Sequence, residues 1–209
     1  MGREVQTRLY VVAAAGTDPQ ALAAVLDAAD VAALLISPNV AGELTAALAR
    51  PLVELVQPKG IAALIENDAA LARALRADGV HLTWSKDIGA RYGEARDVLG
   101  TRYIVGADAG RYRHEAMTLG EAGADYIGFG IPPHVEDRVS ATQRRLDLIA
   151  WWSEIFELPC VAFDVDTIED AGALAAAGAD FVAVHASSAG ELLRFAKSVA
   201  EASGPEAIA

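Results

Sequence analysis

One cysteine, Cys160, in a chain of 209 residues excludes an internal disulfide, and its place in the apolar run PCVAF reads as a small buried hydrophobe rather than a reactive thiol. Positive charge is also scarce: 17 Lys and Arg stand against 29 Asp and Glu, a net charge of −12. Neutralising a nucleic-acid backbone or an anionic membrane needs clustered Lys and Arg, so neither partner is expected. A phosphate ligand would likewise have to find its donors locally. Although 53% of the chain is hydrophobic, no window reaches the roughly 18–20 uninterrupted apolar residues of a membrane span. The opening MGREVQTRLYVVAAAG lacks a signal-peptide core and cleavage site. The expectation is a soluble, cytoplasmic protein with a large core. A dinucleotide fingerprint is missing as well, because the turn after the first apolar run, AAAGTDPQ, holds a single glycine.

What is present is a repeated structural pattern. AADVAALLI (28–36), RADGVHL (76–82), EAGADYIGFG (121–130) and AAGADFVAV (176–184) each put a small or acidic residue before a short apolar run. A glycine after an alanine-rich helical segment can take the left-handed conformation that ends a helix, and the short run after it suits a buried parallel strand. Strands are predicted at Leu9–Ala13, Val31–Ile36, Ile61–Ile65, Val80–Leu82, Tyr103–Ala107, Tyr126–Phe129, Cys160–Phe163 and Phe181–Val184. Helices are predicted between and after them, at 18–29, 39–55, 67–77, 89–100, 113–123, 140–156, 167–178 and 188–202, several opening on Asp, Asn, Ser or Thr as N-caps. This alternation is the count of a single (β/α)₈ TIM barrel with short loops, over residues 1–203, followed by a flexible tail at 204–209. A doubly wound open sheet is the runner-up.

A barrel says where to look, since active sites of this fold collect at the C-terminal ends of the strands. The candidates are therefore the strand-end residues, among them Asn67, Asp68, Asp87, Asp108 to Arg111, Gly130 to Arg138, Asp164 to Thr167 and His185 to Ser188. Lys59 precedes a strand and belongs to the opposite, stability face. His134 and His185 end strands six and eight, where an imidazole can act as general acid or base. His134, Asp137, Asp164, Asp166 and His185 would make a nitrogen and carboxylate metal cluster if they converged. His81 reads as a satisfied residue of the barrel interior, and Trp151 and Trp152 as a core and rim pair.

IENDAALARALRADGVHL, EAGADYIGFG and AAGADFVAV resemble the thiamine phosphate synthase and thiazole tautomerase family over about residues 60–190. The resemblance implies the barrel fold and, for the synthases, transfer of a hydroxymethylpyrimidine group from its pyrophosphate to a thiazole phosphate with magnesium. It implies Asp68 and Asp87 as metal ligands, Asn67, Arg138, Gly130 and Ser187 as substrate-binding residues, and Arg138 as a catalytic residue; His185, which replaces an apolar or small residue of the family block, is a catalytic candidate by its place at a strand end. The bland reading of Asp68 is a helix cap, that of Asp87 a solvated acid of a first helical turn, and that of Arg138 a surface ion pair with a neighbouring acid.

Departures from the family pattern point elsewhere. The basic residues after strand two are replaced by ISPN, the arginine after Asn-Asp is Ala69, and the proline-rich loop ends VEDR where a lysine is expected. The glycine turn after strand seven reads Phe163, Asp164, Val165. A carboxylate about 4 Å from a bound anion is repelled by roughly 4 kcal/mol at an effective dielectric near 20. The alternative is thus a divergent barrel that binds a less anionic small ligand or has a regulatory role. A tautomerase is the weaker third, since its strand-five histidine is replaced by Gly110 or displaced to His114. Self-association is left open.

Overall fold

Short apolar strands alternating with alanine-rich helices close into one barrel in the computed structural model, which describes residues 6–132 and 134–203. In chain order the elements are β1 (Arg8–Ala14), α1 (Pro19–Leu26), β2 (Val31–Ser37), α2 (Ala46–Val56), β3 (Ala62–Glu66), α3 (Ala69–Leu75), β4 (Gly79–Leu82) and α4 (Ile88–Leu99). The second half continues with β5 (Ile104–Asp108), α5 (Arg113–Glu121), β6 (Tyr126–Phe129), α6 (Arg138–Ile155), β7 (Cys160–Ala162), α7 (Ile168–Ala176), β8 (Phe181–Val184) and α8 (Ala189–Ala202). Each strand pairs in parallel with the next, and β8 returns to β1, so the predicted (β/α)₈ barrel is what the chain forms. The predicted tail at 204–209 lies outside the described residues. No described helix is long and apolar enough to cross a membrane.

Successive strand residues face opposite sides, and this alternation divides the core in two. Leu9, Val11, Leu34, Ile36, Ala63 and Ile65 point outward against the helices. Tyr10, Leu35, Leu64, Tyr126, Val161 and Phe163 fill the barrel interior. Helix starts follow the predicted caps at Asp18, Asp68, Thr167 and Ser188, each of which accepts a first-turn amide through the side chain; Asp137, read in the sequence as a candidate site acid, does the same for α6. Gly123 (φ 91°) and Gly178 (φ 95°) make the left-handed turns from helix to strand. In RADGVHL the left-handed residue is instead Arg76 (φ 55°). Gly79 lies within β4, where a β-carbon would stand 2.0 Å from the Ile104 carbonyl oxygen.

Several helix boundaries differ from the reading of the sequence, most by one to three residues. The helix expected from residue 39 starts at Ala46, because the Asn39 carboxamide accepts the Ala41 and Glu43 amides and folds a local turn. Helix α6 begins at Arg138, which places this residue in the first helical turn and not in the loop before it. Trp152 is 1% exposed and Trp151 partly buried, as a core and rim pair. Lys59 pairs with Asp27 beside the turn that precedes β3, away from the strand C-termini.

Candidate functional site

The C-terminal mouth of the barrel holds a cavity of about 430 Å³. Glu66 ends β3, His81 points inward from β4, and Asp108 ends β5; Thr83 and Trp84 follow β4, Phe163 and Asp164 follow β7, and His185 follows β8, all lining this space. Register explains the inward set, since Glu66 pairs with His81 and His81 with Gly106, two residues before Asp108. Among the described residues, the lining includes no Lys or Arg.

Asp108 is 8% exposed. Its Oδ1 accepts the Gly110 amide at 2.6 Å and the Gly130 amide at 3.4 Å. Burial pushes the carboxyl up to about 7, against the pull of those amides and with help from the charges of Asp164 and Glu115. Asp164 takes a left-handed backbone (φ 57°), and its Oδ2 accepts the Ile131 amide at 2.7 Å. A β-carbon on Gly130 would lie 2.5 Å from Asp108 Oδ2 and 2.8 Å from Asp164 Oδ2, so glycine is what lets both carboxyls meet here. His81 is 1% exposed and its Nδ1 is 3.0 Å from the Tyr126 hydroxyl, which is 3.1 Å from that of Tyr10. Burial drives the His81 imidazole down to about 3 and raises the Glu66 carboxyl.

The residues singled out in the sequence are scattered around this mouth. His185 lines the cavity. Gly130 bonds Asp108 through its amide. Arg138 does not line the cavity; its guanidinium stands 3.7 Å from Asp166 and donates to the Ile131 carbonyl at 3.5 Å. Ser187 donates its amide and hydroxyl to Glu191, inside the cap of α8. Asn67 accepts from the Thr83 amide and from Arg91, tying the ends of β3 and β4. His114 lies within α5, and the His134 ring stands 5.4 Å from that of Trp84.

Magnesium takes one or two carboxylates together with waters and phosphate oxygens. Asp68 Oδ1 is engaged by the Leu71 amide as the cap of α3. Asp87 is an exposed residue at the start of α4, held below the usual carboxylate range by the Ser85 hydroxyl. Neither lines the cavity, and no group of three His, Cys, Asp or Glu among the described residues is placed to hold a metal. That last observation covers the His134, Asp137, Asp164, Asp166 and His185 set as well. The cavity thus presents neither of the two carboxylates expected to hold magnesium. Asp68→Ala is expected to cost about 1 kcal/mol as a lost cap, near 3 °C in melting temperature, with Asp68→Ser recovering most of it. A thermal melt that left Asp68→Ala unchanged would remove the capping role.

The sequence profile of the thiamine monophosphate synthase family matches residues 9–187. The chain belongs to this family. It is 38% identical to a thiamine-phosphate synthase of Erythrobacter litoralis, over 87% of each chain. A second relative of the same name, from Rhodospirillum centenum, is 38% identical over 85% of this chain and 86% of its own. Among solved structures, a thiamine phosphate pyrophosphorylase from Pyrococcus furiosus superposes with a TM-score of 0.73 at 20% identity, covering 96% of this chain and 99% of that one. A 3-hexulose-6-phosphate synthase from Salmonella typhimurium reaches 0.69 at 16% identity, over 94% and 100%. At such identities the two structures speak to the barrel alone. Family membership attaches the chain to thiamine biosynthesis.

In this mouth Glu66 is a residue the sequence reading did not single out, while Asp108 was named only as a strand-end candidate without a role and His81 only as a residue of the barrel interior. The available signal was strand parity. Asp108 stands two positions after Gly106 on the inward side of β5, and His81 two after Gly79 on β4.

Proposed function

We propose that this member of the family holds a small, thiamine-related heterocycle of low negative charge at the barrel mouth, and that transfer from a pyrophosphate is not its main activity. The observation that carries this reading is the cavity lining, with Glu66, Asp108 and Asp164 present and no Lys or Arg among the described residues. A pyrophosphate there would face carboxyl groups, each ionised one repelling it by several kcal/mol at contact distance. Arg138 would be the nearest substitute for the missing lysine, and it is paired with Asp166. A cytoplasmic location belongs to the same proposal.

The names of the relatives favour a second reading, the synthase transfer itself. In it Asn67, Gly130, Arg138 and Ser187 would bind substrate, Arg138 and His185 would serve the leaving group, and magnesium would rest on Asp68 and Asp87 only after both left their present roles.

The two readings separate in one assay. The protein is incubated with hydroxymethylpyrimidine pyrophosphate, thiazole phosphate and Mg²⁺ beside an active synthase, and thiamine phosphate is followed by mass spectrometry. The expected yield is below about one hundredth of the control, and calorimetry is expected to give the uncharged thiazole alcohol at least tenfold tighter binding than its phosphate. Turnover matching the control would establish the synthase reading instead.

A further inference from the structure

Resting on the low-anion reading above, we infer that the mouth is a site for a small flat organic cation of the amidinium or ring-ammonium class, flanked by Asp108 and Asp164 and walled by Trp84 and Phe163. Three observations converge. Asp108 and Asp164 both direct Oδ2 toward the one point that Gly130 leaves open. Each Oδ1 or Oδ2 that is occupied serves a backbone amide, and Asp108 Oδ2 has no hydrogen-bond donor among the described residues. Independently, His81 is 1% exposed and lines the cavity, yet among the described residues it bonds only through Nδ1 to Tyr126, so its Nε2 is left for a ligand.

The walls suit the same ligand. Trp84 and Phe163 line the cavity, and aromatic rings attract cations. The Trp84 indole is held by its N–H donating to Glu115 at 3.1 Å, and Phe163 stacks on His81 at 4.3 Å between centroids. A cavity of about 430 Å³ accommodates a single ring with its substituents.

The titratable groups around Asp108 are Asp164 from the β7 end, Glu66 from β3, His81 from β4, Tyr126 from β6, Glu115 from α5 and His185 from the β8 end. A cation stabilises the ionised form of Asp108, and ionised Asp108 stabilises the cation in return. Because this carboxyl sits up near 7 in the free protein, affinity rises as pH passes upward through that value. Below it, binding releases a proton.

A charge series on one shape tests the site: benzamidinium, neutral benzamide and anionic benzoate, titrated calorimetrically into the full chain at pH 6 and pH 8. The expected order is benzamidinium first by at least tenfold, benzoate last, with benzamidinium binding at least fivefold tighter at pH 8 and no such gain for benzamide. Asp108→Asn, which keeps the Oδ1 acceptor for Gly110 and Gly130, is expected to weaken benzamidinium at least tenfold and abolish its pH dependence. The wild-type pH series decides the matter even where that variant fails to fold. Benzamide equal to benzamidinium, or no binding of any of the three at millimolar concentration, would overturn the cation site and leave the low-anion reading standing. Benzoate as the tightest ligand would overturn both.

Discussion

Arg145→Met is expected to remove about 3–5 kcal/mol of stability, a fall of roughly 10 °C in melting temperature. Arg145 lies in the middle of α6 and is 2% exposed. One arm of its guanidinium donates to the Phe163 and Asp164 carbonyls at 2.5 and 2.6 Å, and the other grips both Asp170 oxygens at 2.8 and 2.6 Å. Its removal strands a largely buried carboxylate and two carbonyls without donors, and unpaired buried groups cost far more than the pair contributed. The effect reaches the mouth. Asp164 has a left-handed backbone, a conformation costing on the order of 1 kcal/mol for a residue with a β-carbon and kept only where its surroundings impose it. Arg145 helps to hold it through the carbonyl of Asp164 itself, as the Ile131 amide does through the side chain. A double variant, Arg145→Met with Asp170→Leu, is expected to regain part of the loss, because replacing both partners of a buried ion pair with apolar groups is often near neutral. Urea or thermal denaturation reads all three; a single-variant loss below 1 kcal/mol would show that the β7 loop holds itself.

The barrel was legible in the sequence because each strand is short, apolar and preceded by a helix end that helix chemistry marks. Tyr126–Phe129 and Phe181–Val184 coincide with their predicted bounds. The early start assigned to α2 fails because side chain and backbone compete over a few residues: Asn39 reads as a cap for a helix but closes a turn of its own. The site was legible only as a ring of loops. Strand-end logic names the loops without saying which side chain turns inward, and Asp68 and Asp137 show the difficulty, since a carboxylate at a strand-to-helix junction has a ready employment as a cap. Asp108, two residues from a glycine on the inward face, has no such helix within reach and enters the cavity. Arg145 was invisible for the opposite reason. In the sequence it is one of two adjacent arginines on a helix, and only packing against the β7 end and α7, 18 and 25 residues further on, reveals it as buried.

Gly106→Ala is expected to cost about 3 kcal/mol, at the upper end of what an added methyl does in a packed core. A β-carbon at this position would lie 2.0–2.4 Å from three atoms of the Tyr126 ring. The ring has little freedom to yield, for it is 6% exposed and its hydroxyl meets both Tyr10 and His81. It also lies parallel to the His81 imidazole, 4° from coplanar at 5.8 Å. Tyr126→Leu by itself is expected to be destabilising as well, since it leaves the Tyr10 hydroxyl and His81 Nδ1 unpaired in the barrel interior. The two changes together should nevertheless cost at least 1 kcal/mol less than their separate effects combined, because the second removes the ring that the first strikes. Denaturation of the single and double variants measures this coupling, and strict additivity would mean that the clash is relieved elsewhere. A second readout follows from the same contact. Tyr126 holds His81 by Nδ1 while the other face of that ring borders the cavity. Gly106→Ala, which lies beneath the cavity and touches no ligand, is therefore expected to weaken benzamidinium binding severalfold at a temperature where the protein is still folded. An unchanged affinity would show that His81 keeps its orientation without Tyr126, and that the interior chain of hydroxyls supports the barrel and not the mouth.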